Sequence, residues 1–108
     1  MTDEVAPPED LPWHVLIHTP GPAADPAVPF FQAEWFPGHR GFHALLQELG
    51  VFVAAGPLPG RDGAGQTVVR GIATEEISRL ATQRDPAVLG GFLRVEIVPW
   101  NVVESILE

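Results

Sequence analysis

Four histidines are the side chains of this 108-residue chain that are best suited to chemistry. Imidazole exchanges protons near neutral pH, so each one is a candidate general acid or base. His39 and His43 are four residues apart, a spacing that on a helix can also place two imidazoles on one metal ion. No glutamate follows His39 to complete the zinc-protease pattern, and His18 could act as a third ligand only through folding. We therefore predict no metal site.

The other two histidines lie on a segment, Trp13 to Thr19, that is apolar and β-branched and predicts the first strand. His14 and His18 share one face of that strand with Leu16, and Trp13, Val15 and Ile17 share the other. We expect the histidine-bearing face to look into an interface with a second copy of the chain. On this hypothesis His14 sits at the wet rim of the interface and His18 lines a cavity.

Charge and composition exclude several classes of function. The net charge is −8, with 14 acidic residues against 6 basic ones, all of them arginine, so no cationic face is predicted for nucleic acid or for an anionic membrane. The absence of cysteine excludes thiolate chemistry and disulfides. No segment approaches the roughly 20 apolar residues of a membrane span. The acidic N-terminus lacks the apolar core of a secretory signal, which predicts a cytoplasmic protein.

The central stretch, residues 41–56, organises the predicted fold. Its apolar residues recur at helical spacing, which predicts a helix over about 37–49 with a buried stripe made of Phe42, Leu45, Leu46 and Leu49. Gly50 is expected to end that helix. The apolar run that follows predicts a buried strand over 51–57.

The remaining elements complete one domain of class α+β. Strand three is predicted over 66–73, a helix with Thr74 as N-cap runs to about Gln83, a short turn covers 87–89, and strand four covers 92–99. The order β-α-β-β-α-β is the ferredoxin-like arrangement, a four-stranded antiparallel sheet with two helices on one face. A second copy is the simplest cover for the other face. We assign residues 1–12 to a flexible acidic segment and residues 13–108 to the domain. Its tail, Trp100 to Glu108, is expected to be a short strand or an arm exchanged between copies.

Aromatic residues follow a proline-rich loop at residues 20–29. Trp35 and Phe36, with Phe30 and Phe31, either anchor that loop or line a pocket beside it. Gly56-Pro57 either brings the backbone close to a ligand or ends a strand.

Arg94 and Glu96 share a strand face and are expected to pair across the sheet or the dimer. Arg70 is either a site for an acidic substrate group or a solvated strand residue.

Three stretches resemble the YciI-like (YCII-related) family over residues Trp13 to Val103. They are VLIHTPGPA at 15–23, His39 leading into LLQELGVFVAAGPLP, and RDPAVLGGFLRVEIVPW at 84–100. The resemblance implies a ferredoxin-like fold that assembles into a dimeric α/β barrel, sheet against sheet. It also implies a His-Asp pair in a cleft, with the histidine at His39 and the aspartate at Asp85. Most members of the family have no known reaction, and one relative is a dehydrochlorinase.

Two functions follow as hypotheses. The first is a small-molecule lyase or isomerase that needs no cofactor, with His39 as general acid/base and Asp85 orienting it. Its substrate-binding residues would be His18, Trp35, Phe36, Gly56 and Pro57. The alternative is a dimeric α/β barrel that binds a small ligand or serves as a scaffold subunit without catalysis. In that case Asp85 caps its own turn and His39 is satisfied by a backbone carbonyl.

Overall fold

A computed structural model describes residues 12–107, so the predicted N-terminal segment lies almost wholly outside the described residues. These residues form a four-stranded antiparallel sheet with three helices, and the elements are β1 (Trp13–Pro20), α1 (Phe36–Glu48), β2 (Phe52–Pro57), β3 (Gly65–Arg70), α2 (Thr74–Gln83), α3 (Pro86–Leu89) and β4 (Leu93–Trp100). A 3₁₀ turn, Phe30–Gln32, precedes α1. The strand order β2-β3-β1-β4 with antiparallel neighbours is the ferredoxin-like topology, which confirms the predicted fold class.

The core lies between one face of the sheet and the helices α1 and α2. From α1 the residues Phe42 and Leu46 are buried, and α2 buries Ile77, Leu80 and Ala81. Gly50 ends α1 with a φ of 78°, a conformation that glycine adopts without the steric cost of a Cβ atom. Leu49 does not belong to the buried stripe as predicted, because it is the C-cap of α1 and is 51% exposed.

The two faces of β1 are reversed relative to the sequence-based prediction. His14, Leu16 and His18 are buried on the helix-covered face, where Leu16 is part of the core. Trp13, Val15 and Ile17 lie on the other face, which no element among residues 12–107 covers. The prediction that the histidine-bearing face looks into an interface between copies is therefore wrong. Burial of the histidines follows instead from packing beneath α1 and α2.

β2 is an edge strand rather than the buried strand that its apolar run predicted. Val51 and Phe52 pack toward the core, but the residues from Ala54 to Pro57 are exposed. A register shift between Phe52 and Ala54 marks a β-bulge at Val53. β3 is shorter than predicted, since it ends at Arg70 before Gly71 turns the chain.

The predicted charge pairing on β4 is not formed within the sheet. Arg94 lies opposite Thr19 and Glu96 opposite Ile17, so neither faces an opposite charge on β1. Arg70 lies over the ring of Trp13 on the uncovered face, with its guanidinium carbon 5.6 Å from the ring centroid.

Residues 101–107 carry no strand, which overturns the prediction of a short C-terminal strand. Within the described part of the chain, no helix has the length and apolarity required to cross a bilayer.

Candidate functional site

His39 and Asp85 form a buried hydrogen-bonded pair. His39 lies in the first turns of α1 and Asp85 is the N-cap of α3, and His39 Nδ1 is 2.7 Å from Asp85 Oδ2. The two residues are 8% and 0% exposed. The other carboxylate oxygen, Oδ1, accepts a hydrogen bond from the backbone N–H of Ala87 at 3.0 Å. One carboxylate thus caps α3 and contacts His39 at the same time. The geometry is therefore compatible with both roles considered for Asp85, the cap of its own turn and the partner of His39.

The contact with Asp85 determines which ring nitrogen of His39 carries the proton. A carboxylate accepts hydrogen bonds, so the short contact places a proton on His39 Nδ1 and leaves Nε2 as the nitrogen with a free lone pair. The ring of His39 also lines a cavity on the helix-covered side of the sheet. An imidazole held in this tautomer by a carboxylate is the arrangement that general-base catalysis uses.

His18 lies beside this pair without a hydrogen bond of its own. Its ring centroid is 4.7 Å from that of His39 in an edge-to-face arrangement, and its Nε2 is 3.8 Å from Asp85 Oδ2. Among the described residues, neither ring nitrogen of His18 has a partner, although both are buried. Burial and then the charge of His39 lower the pKa of His18 to about 4, and the attraction of Asp85 does not offset this. His18 is therefore neutral near pH 7.

His43 completes a row of three imidazoles, and sequence reasoning considered it only as a metal ligand. Its ring centroid lies 4.5 Å from that of His39, and its Nε2 lies 3.1 Å from Thr67 Oγ1 on β3. Burial first, and then the charges of His39 and Arg40, lower the pKa of His43 to about 4, whereas Asp85 acts in the opposite direction. The sequence feature that could have identified His43 as a site residue is its position one helical turn after His39, on a helix face toward the sheet.

His14 is separate from this group. It is 2% exposed rather than at a wet rim, so that prediction is wrong. Its Nε2 lies 2.7 Å from Thr74 Oγ1, and burial lowers its pKa. Thr74, the predicted N-cap, is instead the first residue of α2, whose N-cap is Ala73. His14 joins β1 to the start of α2, away from the cavity.

A cavity of about 460 Å³ lies between α1 and the β2–β3 edge of the sheet. It brings together all of the predicted binding residues with His39, namely His18, Trp35, Phe36, Gly56 and Pro57. Further lining residues outside that predicted binding set are Phe30, Arg40, His43, Phe52, Gln66 and Thr67. The arginine at the cavity is therefore Arg40, whereas the candidate Arg70 lies on the opposite face of the sheet.

The aromatic residues after the proline-rich loop have both of the roles considered for them. Trp35 stacks on Phe92 with an interplanar angle of 17°, and Phe30 packs edge-to-face on Phe36. Trp35 and Phe30 line both the cavity at His39 and a second one of about 550 Å³ beneath the loop. Phe31 is 61% exposed and lines neither. The loop thus lines the second cavity, which shares Phe30 and Trp35 with the cavity at His39.

Three residues could hold a metal ion, and they differ from the helical pair considered in the sequence. One potential ligand atom from each of His18, His39 and Asp85 lies within 4.8 Å of the others. The distance of 2.7 Å between His39 Nδ1 and Asp85 Oδ2 is that of a hydrogen bond. Ligands on a tetrahedral zinc ion are about 3.3 Å apart, given bonds of roughly 2.0–2.1 Å. A metal bound by both His39 Nδ1 and Asp85 Oδ2 would therefore have to displace the shared proton and move the pair apart.

Comparisons with known proteins support the fold. No family model matches the chain, and no curated protein matches it either. The chain is similar in structure to a variant of SnoaB from Streptomyces nogalater, described as a cofactor-independent oxygenase, with a TM-score of 0.52 and 17% sequence identity. The match covers 92% of this chain and 99% of that one. A second SnoaB structure gives 18% identity and a TM-score of 0.49 over the same shares. At this level of identity the likeness shows a shared fold.

Proposed function

We propose that this chain is a small-molecule enzyme that transfers protons with His39 as general acid/base and Asp85 as its orienting partner. The observation that carries the proposal is the 2.7 Å contact between His39 Nδ1 and Asp85 Oδ2 at the wall of a cavity. Asp85 fixes the tautomer of His39 and stabilises the imidazolium that forms when Nε2 takes a proton. Both residues are held by helix starts, so their geometry is set before a substrate arrives.

The substrate we propose is a small cyclic or aromatic molecule. The cavity volume of about 460 Å³ suits such a molecule, and Trp35 and Phe36 offer ring faces for it. His18, Gly56 and Pro57 contribute the remaining contacts in this proposal. Elimination or isomerisation fits the site, because neither needs a cofactor and both begin with removal of a proton by a base. An isomerisation returns that proton to another atom of the substrate, and an elimination expels a leaving group as the proton is taken. The one relative with a defined reaction in the YciI-like family that the sequence resembles, a dehydrochlorinase, carries out an elimination.

We further propose that the chain acts as a cytoplasmic homodimer. The sheet face that carries Trp13, Val15 and Ile17 has no cover among residues 12–107. Val68 and Val98 extend this surface, since each lies opposite Val15 in the sheet. A second copy packed sheet against sheet would remove this apolar area from water.

The first experiment measures turnover on a panel of cyclic hydroxy and chlorinated compounds with the wild-type protein and His39→Ala. We expect His39→Ala to abolish turnover while the circular dichroism spectrum and thermal unfolding remain those of a folded protein. Glu48→Ala, an exposed change on the same helix, is the matched control and should keep full activity. Full activity of His39→Ala would overturn the proposal. Binding of panel compounds without any turnover would favour the alternative of a non-catalytic ligand-binding protein.

Reaction with dioxygen is a second candidate, which the likeness to a described cofactor-independent oxygenase suggests. An oxygenase of that kind must make its substrate electron-rich before dioxygen reacts, and removal of a proton by His39 would do so. Oxygen uptake measured with the same panel separates the two candidates. Consumption of dioxygen in step with substrate would favour the oxygenase, and turnover in the absence of dioxygen would favour elimination or isomerisation.

A further inference from the structure

His43 faces the same cavity as the proposed base, one helical turn further along α1. Its ring centroid is 4.5 Å from that of His39, and both rings line the cavity wall. Thr67 on β3 holds His43 from the far side, with Oγ1 3.1 Å from Nε2. The ring is thereby fixed between a helix and a strand, so its second nitrogen, Nδ1, is the one left for a bound molecule.

The burial of Thr67 sets the direction of this hydrogen bond. Thr67 is 1% exposed, and the hydrogen bonds within residues 12–107 give its hydroxyl no partner other than His43. If the hydroxyl accepted from Nε2, its own proton would be buried without an acceptor, which is unfavourable. The hydroxyl therefore donates to Nε2. Because a neutral imidazole carries one N–H, the proton of His43 then lies on Nδ1.

The charge around His43 keeps that nitrogen a neutral donor. Burial, His39 and Arg40 lower its pKa to about 4, while Asp85 pulls the other way, so His43 is uncharged near pH 7. A neutral neighbour leaves His39 free to gain a proton without repulsion from a second imidazolium. Within residues 12–107, the ring nitrogens that are fully buried without a hydrogen-bond partner belong to His14 and His18. His39 Nε2 and His43 Nδ1 are not among these buried atoms.

We infer that His43 is a second catalytic residue, whose Nδ1–H donates a hydrogen bond to an oxygen that becomes an anion when His39 Nε2 takes a proton. The substrate class is accordingly a phenol or an enolisable ketone. The O–H bond of the phenol, or the C–H bond next to the carbonyl, breaks, and its proton moves to Nε2. The electron pair comes to rest on oxygen as a phenolate or an enolate, where the N–H of His43 stabilises it. The inference rests on the proposed role of His39 and adds the chemistry that the site recognises.

The test uses 4-nitrophenol as the probe, because its phenolate absorbs visible light and its phenol does not. We expect the wild-type protein to bind the phenolate more tightly than the phenol, so bound probe ionises at lower pH than free probe. His43→Phe keeps the ring and removes the donor, and Thr67→Val removes the hydroxyl that fixes the tautomer. His43→Phe should weaken phenolate binding about 10-fold, the effect of one hydrogen bond. Thr67→Val should weaken it less, because a mixture of tautomers still contains the Nδ1–H form that binds. Thr19→Val, the same change on the other face of the sheet, should leave binding unchanged.

A second measurement needs no ligand. Nitrogen-15 spectra of the histidines should show the proton of His43 on Nδ1 in the wild-type protein and a mixture of tautomers in Thr67→Val. Phenolate binding that is unaffected in both variants, no binding of 4-nitrophenol at millimolar concentration, or a proton found on Nε2 would each overturn the inference. Failure of the proposed function looks different, because His39→Ala would then keep its turnover while His43 still carried its proton on Nδ1.

Discussion

His39 Nδ1 lies 2.7 Å from Asp85 Oδ2, although the two residues are 46 positions apart in the chain. The contact depends on a close approach of α1 to the start of α3. A Cβ atom at Gly38 would lie 3.1 Å from the side chain of Pro86, so the two helices meet through a glycine and a proline. His39 directly follows that glycine and Asp85 directly precedes that proline, so the helix contact brings the two side chains together.

Asp85→Asn should separate the two roles of this carboxylate. Asparagine can still accept the hydrogen bond from the backbone N–H of Ala87, so the cap of α3 is kept. Its amide group would offer a donor to His39 Nδ1 and would favour the wrong tautomer. We expect the variant to remain folded and to lose turnover by about 100-fold or more. Kinetics on a substrate found in the panel, with thermal unfolding as the control, tests this, and unchanged turnover would contradict it.

Two glycines on α1 provide a matched pair of substitutions. A Cβ atom at Gly41 would meet no other group within 4 Å, so Gly41→Ala should raise the free energy of unfolding by about 0.5–1 kcal/mol through helix propensity. Gly38→Ala gains the same propensity but presses on Pro86. We expect a smaller gain in stability and a weaker contact between His39 and Asp85. Urea unfolding measures the first effect and the nitrogen-15 spectrum of His39 the second, and equal behaviour of the two variants would count against this account.

Acid should destabilise the protein through His18 and His43. Burial lowers both pKa values from 6.5 to about 4 in the folded chain, so between these pH values the unfolded state binds protons that the folded state does not. The free energy of unfolding therefore falls as the pH is lowered from 6.5 to 4, by up to about 1.4 kcal/mol per pH unit for each group. Replacing His18 with phenylalanine should flatten this dependence. A profile with the same slope in His18→Phe and wild type would show that His18 does not contribute.

Val15→Lys tests the homodimer. Val15 lies at the centre of the uncovered sheet face, opposite Val68 on one side and Val98 on the other. A lysine there adds a charge that a sheet-to-sheet interface would have to bury, at a cost of several kcal/mol. We expect a dimer mass for the wild-type protein by sedimentation and a monomer mass for the variant. Leu49→Lys, at a residue that is 51% exposed elsewhere, is the control and should remain dimeric.

Sequence patterns predicted the order of the elements well, because local periodicity determines helices and strands. The stripe on α1 and the glycine at position 50 are examples. The patterns failed where the answer depends on which elements pack together. The apolar run after Gly50 is the same whether it becomes a central or an edge strand, and it became an edge strand.

The same limit applies to the candidate site. Alternation along β1 separated His14 and His18 from Val15 correctly, but it could not show which of the two faces the helices would cover. The contact of His39 with Asp85 joins two helix starts, and its prediction came from the resemblance to a family and not from spacing. His43 shares a helix face with His39, yet its role at the cavity depends on Thr67, a strand residue that no local pattern connects to it.

The three tryptophans of the chain fall into two groups that can serve as fluorescence reporters of different events. Trp13 and Trp100 pack edge-to-face on the uncovered sheet face with ring centroids 5.7 Å apart, whereas Trp35 lines the cavity and stacks on Phe92. Intrinsic fluorescence is therefore expected to report self-association through the first two and occupancy of the cavity through the third. With Trp13 and Trp100 replaced by phenylalanine, quenching of Trp35 becomes a titration signal for any compound that enters, whether or not it reacts.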